Sequence, residues 1–154
     1  MALIQTILVP IDFSEHSAAA LALAIQLAKS SDAALHLAHV DDFIAYTLPN
    51  GAVIYDAITL ARLREGMRQR LLAMQAEVQK AGVARVQTTV LEGQPDVEVV
   101  RHAAELGADL IIMGTHGRRG FSHLMLGSVA ERVVRKAPCP VIAVPLARGA
   151  TSQG

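Results

Sequence analysis

A chain of 154 residues suits one domain, and a composition that is 52% hydrophobic gives it enough apolar surface to build a core. Lys and Arg (14) balance Asp and Glu (14), which argues against a protein that grips nucleic acid through a general excess of positive charge. Aromatic residues make up only 3%, Trp is absent, and the single cysteine, Cys139, excludes an intramolecular disulfide and suits a reducing compartment.

The first element is expected at Leu3–Val9, "LIQTILV", a short apolar run that reads as a buried strand and ends at Pro10. The period then changes. Ala18, Leu21, Ile25 and Ala28 recur at helical spacing behind Ser14, which can serve as N-cap. "ALHLAHV" (Ala34–Val40) is a second strand, followed by a longer loop from Asp41 to Ala52. A long helix comes next, with Leu60, Leu63, Met67, Leu71, Met74 and Val78 on one face and Gly82 as its stop. Gly66 within it costs about 1 kcal/mol relative to Ala.

"RVQTTVL" is a third strand ending at Leu91, and Pro95 with Asp96 and Glu98 opens a third helix that Gly107 closes. "ADLIIMG" is a fourth strand. A glycine-rich segment follows, then a helix from about Ser128 to Lys136, then "CPVIAVP" as a fifth strand. This alternation defines one α/β domain over residues 1–146, with an open parallel sheet and helices on both faces, and a polar tail over 147–154. No run approaches the roughly 18 apolar residues that span a bilayer, and Met1–Pro10 lacks the basic start of a signal peptide, so a soluble cytoplasmic protein is expected.

In such a sheet, ligands bind beyond the carboxyl ends of the strands. The fourth strand runs there into "IIMGTHGRRGFSHLMLGSVAERVV", which holds Gly114, Gly117, Gly120 and Gly127, then Ser128. Glycines tolerate positive φ and leave backbone N–H groups uncovered, Arg118 and Arg119 add charge, and a helix N-terminus offers unpaired N–H groups, so the segment can cradle phosphate. A flexible loop with Ser128 as an ordinary N-cap explains the same glycines.

The spacing narrows the choice. Two residues separate Gly114 from Gly117, nine separate Gly117 from Gly127, and Ser128 follows. That pattern resembles the nucleotide-binding motif of the universal stress protein family. "ILVPIDFSEHS", "ALHLAHV" and "GSVAERVVRKAPCPVIAVP" resemble the family's first strand and turn, second strand, and last helix and strand, so the resemblance spans nearly the whole chain. It implies a flavodoxin-like sheet of order 3-2-1-4-5, akin to the adenine nucleotide alpha hydrolases, that binds ATP with Mg²⁺ held mainly by the phosphates. By position, Pro10, Ile11 and Asp12 would line the adenine side, and Val40 would bond adenine through its backbone. Met113, Gly114, Thr115, His116, Gly117, Arg118 and Arg119 would wrap ribose and phosphates, and Gly127, Ser128 and Val129 would close around the phosphate tail. The resemblance also implies a homodimer through Pro140–Val144, and an apolar edge strand without charge needs such a partner.

Other residues read more plainly. Asp12 can reach a nucleotide or its Mg²⁺, or cap the first helix; both stay open. Asp41 and Asp42 follow the second strand, where an acidic residue often meets a ribose, but they read first as solvated loop charges. His36 and His39 sit at odd spacing on a strand and point to opposite faces. His16 and His102 read as surface residues on helices, while His116 lies inside the glycine motif and His123 follows it. No metal-ligand cluster emerges, and Cys139 reads as a packed residue. The residues exclude a P-loop ATPase, since no Lys precedes Ser128, and a receiver domain, since the third and fifth strands end in "TVLEGQ" and "AVPLAR". No base stands ready to activate water, so any hydrolysis is expected to be slow. A nucleotide-binding regulatory protein is the leading expectation, and a dimeric stress adaptor without nucleotide is the alternative.

Overall fold

The computed structural model describes residues 3–42, 49–51, 55–117 and 125–146. The chain alternates β1 (Thr6–Pro10), α1 (Glu15–Ser31), β2 (Ala34–Asp41), α2 (Ala57–Lys80), β3 (Val86–Glu92), α3 (Pro95–Leu106), β4 (Leu110–Gly114), α4 (Ser128–Lys136) and β5 (Val141–Val144). All pairings are parallel, in the order β3-β2-β1-β4-β5. β1 lies at the centre, flanked by β2 and β4. The chain builds outward from β1 to β3, then crosses to β4, so the switch of direction falls between β1 and β4.

Alternation along the strands divides the core between two layers. Ile7, Val9, Leu35, Leu37 and Ile112 meet α1 and α2 through Ala20, Ala24, Ala28, Leu71 and Val78. Leu8, Ala38, Ile111 and Met113 meet α3 and α4 through Val99, Ala103, Ala130 and Val133. The alanine stripe of α1 lets that helix approach closely. At Gly114 the approach is closest: a Cβ there would lie 2.7 Å from the His16 Cβ and 2.8 Å from its backbone carbon.

Several expected boundaries move. β1 begins at Thr6, where pairing with Ala34 starts, and Leu3 is 92% exposed. Pro10 is the last residue of that strand, and β5 is confined to Val141–Val144. Ser14 is the N-cap of α1, accepting from the Ser17 N–H, and Gly107 closes α3 in the left-handed conformation at φ 62°. Leu63, expected in the core, is exposed, while Leu60, Leu71 and Val78 on the same helix are buried. Asp41 is the last residue of β2 and is buried, not a solvated loop charge. His36 and His39 do face opposite layers. His16 and His102, expected at the surface, are half-buried. The expected tail, 147–154, lies outside the described residues.

Candidate functional site

Beyond the carboxyl ends of β1, β2 and β4 lies a cleft of about 590 Å³. Its first wall is the turn after β1. The Ile11 N–H donates to the Ala38 carbonyl at 2.8 Å and prolongs the strand pairing by one residue. The Asp12 carboxylate then accepts from the Ser14 backbone N–H at 3.0 Å and from the Ser14 hydroxyl. This closes an Asx turn around Phe13, whose φ of 63° is an uncommon, strained value for a bulky residue. Of the two roles left open for Asp12, the helix cap falls to Ser14; Asp12 organises the turn that carries that cap, and it lines the cleft.

Behind this turn the Phe13 ring packs at 4.8 Å from the ring of His39, and the Arg70 guanidinium lies 3.8 Å over the Phe13 ring. His39 Nδ1 is 2.7 Å from the Ile11 carbonyl oxygen, which only accepts, so Nδ1 carries the proton and donates. A buried histidine on β2 therefore fixes the backbone of the cleft's first wall.

The glycine segment forms the opposite wall. Gly114, Gly117 and Gly127 do not use positive φ; among the described glycines that conformation belongs to Gly51, Gly82, Gly93 and Gly107. Close approach is what excludes a side chain. A Cβ on Gly117 would lie 2.9 Å from Asp12 Oδ2, and one on Gly127 would lie 2.9 Å from the Thr115 carbonyl oxygen. The Gly127 N–H donates to that same oxygen at 2.7 Å, folding the segment back onto the end of β4. Beside it, His116 Nδ1 pairs with the Thr115 hydroxyl at 3.0 Å, its ring lies 5.2 Å from that of His16, and its buried Nε2 has no partner among the described residues.

Two helices start at the cleft. Gly127 is the N-cap of α4, so Ser128 takes the first helical position, and no side chain among the described residues caps that end. Gln94 likewise caps α3 without a side-chain bond. Both ends leave backbone N–H groups and partial positive charge facing the space between them. The carboxylates of Asp12, Asp41, Asp42 and Asp96 share the lining with Arg132. Asp41 is held by Arg64 of α2 at 2.9 Å, and Arg64 also bonds Glu92 at 3.0 Å. Buried Asp96 lies 3.9 Å from Arg132.

Pro10, Ile11, Asp12, Val40, Met113, Gly114, Thr115, His116, Gly117, Gly127, Ser128 and Val129 all line this one cleft. Arg118, Arg119 and His123 lie outside the described residues. Sequence reasoning missed Asp96 and Arg132 as cleft residues and read Asp41 first as a solvated charge. Arg132 sits one helical turn beyond Ser128, and Asp96 follows Pro95 at the start of a helix, so spacing carried both signals.

A doubly wound parallel sheet with its cleft at the switch point and helix N-termini around it defines a class of ligand-binding α/β proteins. Within that class, the universal stress protein family model matches residues 4–145, and the chain belongs to that family. Universal stress protein MJ0531 of Methanocaldococcus jannaschii is 36% identical over 142 residues, 92% of this chain and 82% of its own. Among solved structures, hypothetical protein MJ0577 superposes with a TM-score of 0.83 at 28% identity, covering 95% of this chain and 99% of that one. A universal stress protein solved in complex with cAMP superposes with a TM-score of 0.62 at 28% identity, over 92% of this chain and 96% of its own. No helix among the described residues is long and apolar enough to cross a membrane.

Proposed function

We propose that this protein binds ATP in the cleft and that nucleotide occupancy regulates what the protein associates with. The observation that carries the reading is the start of α4, uncapped among the described residues and bracketed by Gly117, Gly127 and a His116 Nε2 that has no partner among them, at the mouth of a cleft whose size suits a small ligand. Adenine would enter between the ends of β1 and β2, where Ile11, Val40 and Met113 supply apolar surface and the Val40 backbone supplies a bonding edge. The phosphates would lie at α4, where the N–H groups of Ser128, Val129 and Ala130 favour an anion, and Mg²⁺ would be held mainly by the phosphates themselves. The solved relative with cAMP shows that a protein of this family accommodates an adenine nucleotide. Association would be between two copies through the β5 edge, Pro140–Val144, in the cytoplasm, with hydrolysis slow or absent.

Titration of nucleotide-stripped protein with Mg-ATP by calorimetry tests the reading, with one ATP per chain expected. Gly117→Val, whose side chain would enter the cleft against Asp12, should weaken binding at least about a hundredfold while the circular dichroism spectrum is unchanged. Undiminished affinity would remove the glycine segment from the site. One observation favours the second reading, a nucleotide-free dimeric adaptor. Gly114 and Gly127 are required by contacts within the protein, so the motif has a packing role even without ligand. A folded wild type that takes up no nucleotide would make that reading the stronger.

A further inference from the structure

We propose that Arg132 is a specificity residue that makes the cleft sensitive to the number of phosphates on its ligand, and that Asp96 holds it in reserve until a polyphosphate arrives. The inference rests on the nucleotide reading above and concerns a residue outside the glycine motif.

Among the described arginine ion pairs, the Arg132–Asp96 contact is the longest. At 3.9 Å it is beyond hydrogen-bond distance, whereas Arg135 reaches Glu131 at 2.8 Å and Arg64 reaches Asp41 at 2.9 Å. The two partners also differ in freedom. The Asp96 side chain is 7% exposed and fixed at the first turn of α3, while the Arg132 side chain is 59% exposed. A loosely held guanidinium one turn beyond the uncapped start of α4 can swing towards an anion seated there without breaking a hydrogen bond. It is also the only lysine or arginine among the described residues lining the cleft. Its planar fork suits phosphate oxygens, and its charge would offset the repulsion that Asp96 exerts on an incoming polyphosphate. The α4 amides can hold the phosphates nearest that helix end. Arg132 then adds affinity only for a ligand long enough to draw it off Asp96.

The test is calorimetry on the full, nucleotide-stripped chain with adenosine, AMP, ADP and ATP in the presence of Mg²⁺. Arg132→Gln should leave adenosine and AMP within about twofold and weaken ATP at least about tenfold, and Arg132→Lys should recover part of the loss. Asp96→Asn should strengthen ATP, and most of that gain should vanish in the Asp96→Asn/Arg132→Gln double variant, leaving only the relief of the repulsion that Asp96 itself exerts. Equal weakening of adenosine and ATP in Arg132→Gln would reduce Arg132 to a structural role and overturn the proposal. ATP affinity unaffected by Arg132→Gln would do the same, as would a gain that is undiminished in the double variant. Failure of the wild type to bind any of the four ligands would overturn the nucleotide reading itself, and this inference with it.

Discussion

The two ends of the sheet treat their polar groups in opposite ways. At the amino ends of the strands, the protein satisfies itself. Asp109 Oδ2 accepts from the backbone N–H groups of Gln5 and Thr6 at 2.9 and 3.0 Å, and its own N–H donates to the Thr6 carbonyl at 2.9 Å. Arg85 closes the same end by donating to the Asp32 carbonyl. At the carboxyl ends, α3 and α4 start without side-chain caps, and the buried polar atoms His116 Nε2 and Asp41 Oδ1 have no partner among the described residues. Unmet hydrogen-bonding capacity in a folded protein carries a free-energy cost, and at the carboxyl ends it lines the cleft, where the proposed ligand would meet it. On the proposed function, one end of the sheet serves stability and the other recognition.

The largest expected effect probes the point where the two tasks meet. Gly114→Val places a branched side chain against the Cβ and backbone of His16 in α1, contacts that start at 2.7 Å even for a single added carbon. Neither β4 nor α1 has room to yield without disturbing the core, so overpacking should cost about 1–3 kcal/mol and lower the midpoint of urea unfolding accordingly. An unchanged midpoint would mean that α1 is free to slide and that the glycine is retained for the ligand alone.

The opposite end should separate stability from binding. Asp109→Ala removes a carboxylate that accepts two backbone N–H groups, yet these groups can turn to water, because Asp109 is exposed. A loss of about 1–2 kcal/mol is expected in thermal unfolding, with nucleotide affinity corrected for the folded fraction unchanged. If affinity fell together with stability, the division of labour between the two ends would not hold.

Element order and the position of the glycine wall were legible in the sequence because both depend on local pattern. Runs of Ile, Leu and Val alternate with helical periodicity, and the motif spacing places Gly117 and Gly127 at one strand end. What stayed hidden depends on the third dimension. Helical spacing puts Leu63 near the face of Leu60, but does not tell which edge of that stripe the sheet covers: Leu60 and Leu71 on either side of it are buried, while Leu63 is exposed. Asp41 read as a loop charge because its partner Arg64 lies on another element, and a buried carboxylate cannot be foreseen without its cation. The conformational reason expected for the glycines is not the one the structure uses. Crowding from His16 and Thr115 excludes a side chain at Gly114 and Gly127, and no single-sequence pattern reports that crowding.

The smallest effect concerns the middle of the sheet, which belongs to neither end. His36 on β2 has its pKa lowered below the ordinary 6.5, first by burial and then by the charge of His102. His102 on α3 is lowered too, chiefly by burial, with Arg101 adding to the shift and Glu105 and Glu98 opposing it. Both rings are therefore held neutral in the folded protein. Above pH 6.5 the folded and unfolded chains carry the same neutral imidazoles, and the stability these groups contribute is fully present. As pH falls below 6.5 the unfolded chain takes up protons first, so that stability is progressively lost until the folded protein titrates as well. Thermal unfolding of the wild type between pH 7 and about 5 should show this decline before carboxylate protonation begins, and His36→Gln should flatten it. Both rings remain partly open to solvent, so the slope should be shallow beside the effects of Gly114→Val and Asp109→Ala. A slope that persists in His36→Gln but disappears in His102→Gln would assign the sensitivity to α3 alone.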